Sequence, residues 1–176
     1  MLDFNDKFPT NVNPLYIPLK SLDTSLLLGG DPQELDLAKL FPGETVVFTA
    51  APGAFTPTCT QAHIPDYLKH EKQLKDKGVA RVIILCQNDA FVMNAWAKAE
   101  GYNADENYFV FASDPNLGIS SQLGSDYTLN LKDKGLGERT LRWAAIVKDG
   151  KIQFLGAEPD GKYGNVVGIN HILKRI

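Results

Sequence analysis

Two cysteines occur in this chain of 176 residues, and they lie in different sequence surroundings. Cys59 lies in the stretch APGAFTPTCT, which is rich in residues that interrupt regular structure. Cys86 ends the apolar run VARVIILC, where a cysteine is most often a small core residue. A thiol outside such a run can act as a nucleophile once it is ionised. Cys59 is therefore the candidate for chemistry, whereas Cys86 is predicted to pack in the core.

The residues before Cys59 resemble the start of a helix. Thr56 is a favoured N-cap residue, and Pro57 suits the first helical position because its missing N–H would have no partner there. Cys59 then takes the third helical position, where free N–H groups and the helix dipole favour negative charge. A lone cysteine is more often a buried apolar side chain, but this polar setting predicts a reactive thiol. Pro52 and Pro57 stiffen the loop and limit approach to the sulfur.

His63 follows Cys59 by one helical turn, so the two side chains can share a helix face. A Cys–His catalytic pair is one interpretation of this spacing. In cysteine hydrolases, however, the histidine comes from elsewhere in the fold. A packing or hydrogen-bonding role is therefore the preferred interpretation for His63.

Short apolar runs predict strands, while cap residues, prolines and terminal glycines predict helices. The predicted strands cover Thr45–Thr49, Val79–Cys86, Tyr108–Phe111, Leu141–Val147 and Ile152–Leu155, the last two joined by an Asp149-Gly150 turn. The predicted helices cover Pro57 to Lys77 with a kink or restart at Pro65, Ala90 to Gly101 after the cap Asp89, Asp114 to Leu123, and Asn165 to Lys174. The first forty residues are predicted to be irregular. This order favours one domain over residues 1–176, an α/β thioredoxin-like fold whose mixed central sheet carries helices on both faces.

Composition narrows the classes of function. The net charge of −3 and the lack of a dense basic patch disfavour nucleic-acid binding. Two cysteines make neither a disulfide framework nor a zinc motif, and no apolar run approaches the roughly 20 residues of a membrane span. The polar N-terminal stretch is unlike a secretory signal. A reducing, cytoplasmic location is expected, with the peroxisome as the alternative because the final Lys-Arg-Ile loosely resembles the Ser-Lys-Leu signal.

The octapeptide from Pro52 to Cys59 resembles the peroxiredoxin signature, in the form found in the type-5 subfamily with its fungal alkyl-hydroperoxide and peroxisomal-membrane-associated members. The resemblance continues along the chain, in the order His63-Ile64-Pro65, Leu85 to Val92, Trp96-Ala97, Ala112 to Pro115, Arg142-Trp143-Ala144 and Glu158 to Gly161. It therefore extends over roughly residues 46–161.

This resemblance implies a thiol peroxidase that reduces hydrogen peroxide and alkyl hydroperoxides without a metal or flavin cofactor. Cys59 would attack the terminal peroxide oxygen and become a sulfenic acid. Thr56 would hydrogen-bond and align the peroxide, and Pro52 would shield the sulfenic acid. Arg142 would lie beside Cys59 and favour the thiolate and the developing charge. Helix N–H groups would complete the peroxide site.

Several neighbouring residues have plainer interpretations. An arginine on a strand is usually solvated, and Arg139 competes with Arg142, but Arg142 directly precedes the Trp-Ala pair of the family pattern. Asp114 is read as a helix cap. The aromatic residues near the motifs are read as core or dimer surface rather than a cofactor site; they are Phe55, Phe91, Trp96 and Trp143.

The chain departs from many relatives in lacking a second cysteine at either of two resolving positions, before Cys59 or after Glu158. Cys86 is the remaining candidate, and a Cys59–Cys86 disulfide would require partial unfolding. A one-cysteine cycle is therefore preferred. An external thiol, either glutathione with glutaredoxin or thioredoxin, would reduce the sulfenic acid. The resemblance also implies a homodimer.

Three other classes of function remain open. Cys59 could belong to a peroxide sensor or redox-regulated binding protein, in which oxidation alters partner binding. The chain could be a thioredoxin-like binding module with an unreactive cysteine, or a cysteine hydrolase. Neither the sensor nor the binding module explains why Pro52, Thr56, Cys59 and Arg142 occur together, and the hydrolase lacks a convincing partner histidine.

Overall fold

A computed structural model describes residues 1–176, and its centre is a seven-stranded mixed sheet. The strands of this sheet are β1 Leu15–Tyr16, β2 Gln33–Glu34, β3 Thr45–Ala50, β4 Val79–Cys86, β5 Phe109–Ser113, β8 Trp143–Lys148 and β9 Lys151–Ala157, and β6 Thr128–Leu131 and β7 Gly137–Thr140 form a separate pair. Across the sheet the order is β2-β1-β5-β4-β3-β8-β9. The helices are α1 Leu37–Leu40, α2 Ile64–Lys69, α3 Glu71–Asp76, α4 Ala90–Ala99, α5 Ser120–Leu123 and α6 Ile169–Leu173. Strands β3, β4 and β5 run parallel, and β8 and β9 continue the sheet antiparallel.

Alternate residues of the central strands bury side chains on opposite faces of the sheet. Val47 and Ile84 pack on one face with residues of α2, α3, α4 and α6, and Cys59 and Cys86 belong to this cluster. Phe48 and Leu85 pack on the other face with residues of α1 and α5. The predicted mixed sheet with helices on both faces is confirmed, and the two cysteines lie on the same side of it.

The long helix predicted from Pro57 to Lys77 is broken into shorter segments. After one turn it becomes a π-helical turn, Cys59–His63, in which the Ile64 N–H donates to the Cys59 carbonyl. Helix α2 then begins at Ile64, because Pro65 has no N–H to continue the preceding α-helical ladder. A second break at His70 separates α2 from α3. The predicted restart at Pro65 is confirmed, and the prediction of one continuous helix to Lys77 is wrong.

The helix predicted from Asp114 to Leu123 is also divided. A 3-10 turn, Pro115–Leu117, precedes α5, and Asn116 and Leu117 adopt left-handed backbone angles that end it. The buried carboxylate of Asp114 accepts from the Ile119 and Ser120 N–H groups at 2.8 and 2.9 Å. Asp114 therefore caps the second helical segment rather than the first.

Sequence patterns missed short elements and misplaced some boundaries. The two-residue strands β1 and β2, helix α1 and the β6–β7 hairpin were not predicted, because segments of two to four residues carry too little periodicity. The last helix begins at Ile169, four residues later than predicted. The Glu158 carboxylate accepts hydrogen bonds from the N–H groups of Val166 and Val167 at 2.7 and 2.8 Å, and these bonds form a turn in place of a helix.

None of the helices is long and apolar enough to cross a membrane.

Candidate active site

Cys59 is the first residue of the π-helical turn that follows the loop after β3, and it is 2% exposed. The Thr60 N–H donates to the Thr56 carbonyl at 3.0 Å, which is the first hydrogen bond of the helix. The N–H groups of Thr58 and Cys59 precede this bond, as expected of a helix start. The sulfur therefore lies at the positive end of the helical segment, as predicted.

Thr56 does not cap the helix with its side chain, and that part of the prediction is wrong. Its hydroxyl donates to the carbonyl of Gly53 at 2.6 Å, within the loop. A Cβ at Gly53 would lie 2.9 Å from the Thr56 methyl, so glycine permits this approach. Because the hydroxyl hydrogen is used by Gly53, the oxygen of Thr56 is left as an acceptor.

Arg139 supports the loop rather than the thiol. Its Nη1 donates to the Pro52 carbonyl at 3.4 Å and to the Asn88 Oδ1 at 3.3 Å. The same Asn88 oxygen accepts the Ala54 N–H at 2.9 Å. Arg139 thus holds Pro52 through the Pro52 carbonyl and does not contact the thiol, unlike Arg142.

Arg142 contacts Cys59 directly, and it lies just before β8 rather than inside the predicted strand. Its Nη2 donates to the Cys59 sulfur at 3.2 Å. Nη1 lies 2.7 Å from the His63 Nδ1, and Nε donates to the Gly161 carbonyl at 2.9 Å. With three acceptors around it and 3% exposure, the guanidinium has one favoured orientation.

His63 is a buried hydrogen-bonding residue. An arginine has only donors, so the Nδ1 of His63 accepts from Arg142, and Nε2 carries the hydrogen that faces the Thr49 hydroxyl at 2.6 Å. Burial, and secondarily the charge of Arg142, hold the pKa of His63 well below its usual value. A neutral imidazole bound on both nitrogens is not placed to exchange protons with Cys59. The hydrogen-bonding interpretation of His63 agrees with these contacts.

Cys86 ends β4 and is completely buried in the same core cluster as Cys59. Burial, with a further contribution from the nearby Cys59 charge, raises the pKa of the Cys86 thiol well above its usual value. Both cysteines are free. The second thiol is therefore protonated and is a weak nucleophile in this fold.

The aromatic residues named in the sequence divide into two groups. Trp96 and Trp143 are completely buried, whereas Phe55 and Phe91 are 51% and 60% exposed. Phe55 has φ of 60°, an unusual angle for a bulky residue, directly before Thr56. No group of three or more His, Cys, Asp or Glu side chains is arranged to hold a metal ion.

Sequence reasoning missed three residues around the site: Thr49, Tyr163 and Glu158. They contact His63 or the loop that supports Arg142 from distant parts of the chain. Glu158 was visible within a family motif, but a motif does not reveal which backbone groups a carboxylate accepts. No local spacing could have identified Thr49 or Tyr163.

The sheet order is that of a thioredoxin-like fold, and a thiol hydrogen-bonded by a buried arginine is an arrangement suited to thiol redox chemistry. The redoxin family model matches residues 5–172. The peroxiredoxin AHP1 of Chaetomium thermophilum is 40% identical over 154 residues, which cover 87% of this chain and 82% of that protein. A Lipomyces kononenkoae protein, placed by its name among the peroxisomal peroxiredoxins, is 39% identical over 168 residues, which cover 96% of this chain and 97% of that protein.

The structure of reduced Prx3 from Vibrio vulnificus in complex with hydrogen peroxide has a TM-score of 0.80 and 28% identity, covering 99% of this chain and 95% of that one. The chain belongs to the redoxin family and, within it, is a peroxiredoxin, an enzyme of the thiol peroxidase class. The thioredoxin-like fold and the peroxiredoxin resemblance are thereby confirmed.

Proposed function

We propose that Cys59 is the peroxidatic thiol, with Arg142, Thr56 and Pro52 completing the site, and that it reduces hydrogen peroxide and alkyl hydroperoxides. The observation that carries this proposal is the 3.2 Å hydrogen bond from the Arg142 guanidinium to the Cys59 sulfur. A charged donor stabilises a thiolate, which is the reactive form of cysteine. Cys86 has no such donor and stays protonated.

The first step is a displacement at oxygen. The Cys59 thiolate attacks the terminal oxygen of ROOH, the S–O bond forms, and the O–O bond breaks. Sulfur is oxidised by two electrons to the sulfenic acid, and the alkoxide leaves and takes a proton from solvent. Arg142 stabilises the negative charge as it moves from sulfur to the leaving oxygen. The Thr56 oxygen accepts a hydrogen bond from the peroxide, and the N–H groups at the helix start donate hydrogen bonds to the peroxide oxygens.

The second step requires a reductant from outside the chain. An external thiol attacks the Cys59 sulfenic acid, releases water and forms a mixed disulfide, which a second thiol reduces. Cys86 is buried and protonated, so it is a poor resolving group. Glutathione with glutaredoxin, or thioredoxin, can supply these thiols. This is a one-cysteine cycle.

The test adds one equivalent of hydrogen peroxide to reduced protein and follows its intact mass beside a non-reducing gel. Gain of one oxygen, lost in Cys59→Ser and retained in Cys86→Ala, supports the proposal. Loss of two hydrogens would instead mean that Cys86 resolves within the chain, and a disulfide-linked dimer that resolution occurs between chains. No oxidation of Cys59 would overturn the assignment of the peroxidatic thiol.

Steady-state turnover then distinguishes the peroxidase from a peroxide sensor. With glutathione and glutaredoxin, or thioredoxin and its reductase, repeated consumption of peroxide is expected. A reaction that stops after one equivalent with every thiol donor would favour the sensor.

Assembly and location belong to the same proposal. The homodimer implied by the family resemblance is supported by exposed Phe55 and Phe91, because aromatic residues are enriched at protein interfaces. A cytoplasmic location is proposed, with the peroxisome as the alternative that the peroxisomal name of one relative supports. Fluorescent tagging at the N-terminus, with a marker protein for each compartment beside it, distinguishes the two locations.

A further inference from the structure

Tyr163 lies outside the contacts made by the thiol, yet it packs directly on the site. Its ring is stacked on the imidazole of His63, with centroids 4.8 Å apart and planes inclined by 19°. His63 is completely buried, while Tyr163 is partly exposed. Tyr67 contacts the same imidazole edge-on at 5.4 Å from within the core. The Tyr163 ring is therefore the cover of His63 on its outer side.

Two hydrogen bonds fix the Tyr163 ring in this position. Its hydroxyl donates to the Asp66 Oδ2 at 2.5 Å and accepts the Ile169 N–H at 3.2 Å. Asp66 belongs to α2, which continues directly from the π-helical turn containing Cys59. Ile169 begins α6. Tyr163 thus connects the active-site helix to the C-terminal helix across His63.

The segment around Tyr163 contacts Arg142 by a second route. The carbonyl of Gly161 accepts from the Arg142 Nε at 2.9 Å, and the Glu158 N–H donates to the Arg142 carbonyl at 2.9 Å. The Glu158 carboxylate closes the segment by accepting the Val166 and Val167 N–H groups. A movement of Tyr163 would therefore disturb two of the three acceptors of the guanidinium, Gly161 through the shared backbone segment and His63 through the stack.

We propose that Tyr163 is a positioning residue of this peroxidase: its ring, fixed by Asp66, holds the His63 imidazole against Arg142 and so keeps the guanidinium on the Cys59 sulfur. This inference rests on the proposed role of Cys59. The contacts form one continuous chain, from the Asp66 carboxylate through Tyr163, His63 and Arg142 to the sulfur.

The surroundings of His63 explain why its cover matters. The charged or titratable groups facing it are Arg142 before β8, Tyr67 on α2 and Tyr163 itself, together with the neutral Thr49 on β3. Cys59 lies beyond the guanidinium of Arg142, and Asp66 lies beyond the Tyr163 hydroxyl. No carboxylate hydrogen-bonds to the imidazole. Without the ring, water reaches His63 and the imidazole can protonate; a protonated imidazole cannot accept from Arg142 and repels it.

The experiment compares Tyr163→Leu, which removes the ring, with Tyr163→Phe, which keeps the stack and removes the Asp66 bond. Tyr102→Leu is the matched control, because Tyr102 also packs against aromatic rings and its hydroxyl accepts a backbone N–H, that of Phe109. The rate constant for oxidation of Cys59 by hydrogen peroxide is measured in a single turnover between about pH 5 and about pH 8. The protonation of His63 is followed over the same range by NMR of its imidazole.

Tyr163→Leu is expected to lower the rate constant about tenfold near neutral pH, with a larger loss at acidic pH as His63 protonates. In the wild type, in Tyr163→Phe and in Tyr102→Leu, the His63 signals should stay those of the neutral ring over most of this range. Tyr163→Phe should lower the rate constant about two- to threefold and keep the wild-type pH profile, because the stack remains while Asp66 no longer fixes the ring.

The positioning role would be overturned if Cys59 of the Tyr163→Leu protein oxidises at the wild-type rate and His63 stays neutral, so that only the stability of the protein is lowered. If Tyr163→Leu does not fold, Tyr163→Met replaces it, because the flexible methionine side chain can fill the space but has no ring to stack on His63 and no group that titrates in this range. Failure of the proposed function has a separate signature: wild-type Cys59 itself would not react with peroxide.

Discussion

At the residue scale, three side chains make one unit: Cys59, Arg142 and His63. Each nitrogen of the Arg142 guanidinium has its own acceptor, the Cys59 sulfur, the His63 imidazole and the Gly161 carbonyl. A lysine has one ammonium group and cannot reproduce this planar fork. The identity of the arginine therefore matters beyond its charge.

Replacement of Arg142 by lysine should lower the rate constant for oxidation of Cys59 by about 10²-fold, because the fixed donor beside the reacting sulfur is lost. The rate is measured by stopped-flow fluorescence with hydrogen peroxide. Arg81→Lys is the matched control, since Arg81 lies on β4 and donates to the Ala80 carbonyl, away from the site. Equal rates for wild type and Arg142→Lys would exclude a role for the guanidinium in the reaction.

The stability of the protein should fall as the pH falls below about 6.5, the usual pKa of histidine. Folded His63 stays neutral because burial lowers its pKa, while in the unfolded chain it takes up a proton. The unfolded state then binds more protons, so acid favours unfolding, by at most about 1.4 kcal/mol per pH unit for this one group.

Urea unfolding of wild type and His63→Gln, between about pH 8 and about pH 5, measures this contribution. Glutamine can accept from Arg142 and donate to Thr49 without titrating. As the pH falls, the free energy of unfolding of the wild type should therefore decrease more than that of the glutamine variant. A difference independent of pH would contradict a buried neutral histidine.

Removal of the second thiol should leave the oxidation chemistry intact. Cys86→Ala is expected to cost about 1–2 kcal/mol of stability, since a buried sulfur leaves a small cavity in the core. The rate of Cys59 oxidation and its reduction by an external thiol should match the wild type. Loss of turnover in this variant, with normal oxidation, would show that Cys86 resolves the sulfenic acid.

At the scale of elements, the π-helical turn Cys59–His63 is the unusual segment. Hydrogen bonds to the fifth preceding residue widen the turn, and Cys59 and His63 then both reach one guanidinium. Pro65 favours this geometry because it cannot donate to the carbonyl four residues earlier. The helix thus departs from α-helical geometry at the residues Cys59–His63, which contain and adjoin the thiol.

Pro65→Ala restores the missing N–H and allows an ordinary α-helical register over these residues. The rate of Cys59 oxidation should fall about tenfold, because the sulfur moves relative to Arg142. The free energy of unfolding should change by less than about 1 kcal/mol, since alanine is the best helix former. Pro42→Ala, at an exposed turn, serves as the control. An unchanged rate would mean that the site does not depend on the π-helical turn.

At the scale of the whole molecule, the sheet brings together residues far apart in sequence. The loop after β3 carries Pro52, Thr56 and Cys59, and the segment before β8 carries Arg142. Strands β3 and β8 are antiparallel neighbours, with Ala50 paired with Trp143. The end of β3 and the start of β8 therefore meet at the same edge of the sheet, which places Arg142 beside Cys59.

The exposed aromatic residues near this edge lead to a prediction about assembly. Phe91 is 60% exposed at the start of α4. If this surface joins two copies, Phe91→Asp should convert a dimer to a monomer, because a charge at an apolar interface is costly to bury. Light scattering after size-exclusion chromatography measures the mass. Leu22→Asp is the control, as Leu22 is 98% exposed elsewhere. Monomeric wild type would contradict the proposed homodimer.

Much of the site could be predicted from sequence because its chemistry is local. The helix start around Thr56 and Pro57, the apolar strand ending in Cys86 and the restart at Pro65 all follow from neighbouring residues. The choice of Arg142 over Arg139 followed from the resemblance, since two arginines three residues apart look alike to any local rule. Short elements such as β1 and α1 were missed for lack of periodicity.

By itself, therefore, the sequence determined the family, through motifs that resemble it, and the alternation of strands and helices, because short-range spacing and backbone preferences carry that information. It also singled out Cys59 as the proposed nucleophile. Only the tertiary structure decided the partners of Arg142, the neutral state of His63, the loop bond of Thr56 and the stacking of Tyr163. Burial and hydrogen-bond partners depend on which distant segments meet, and most of these contacts join residues from different elements of the folded chain.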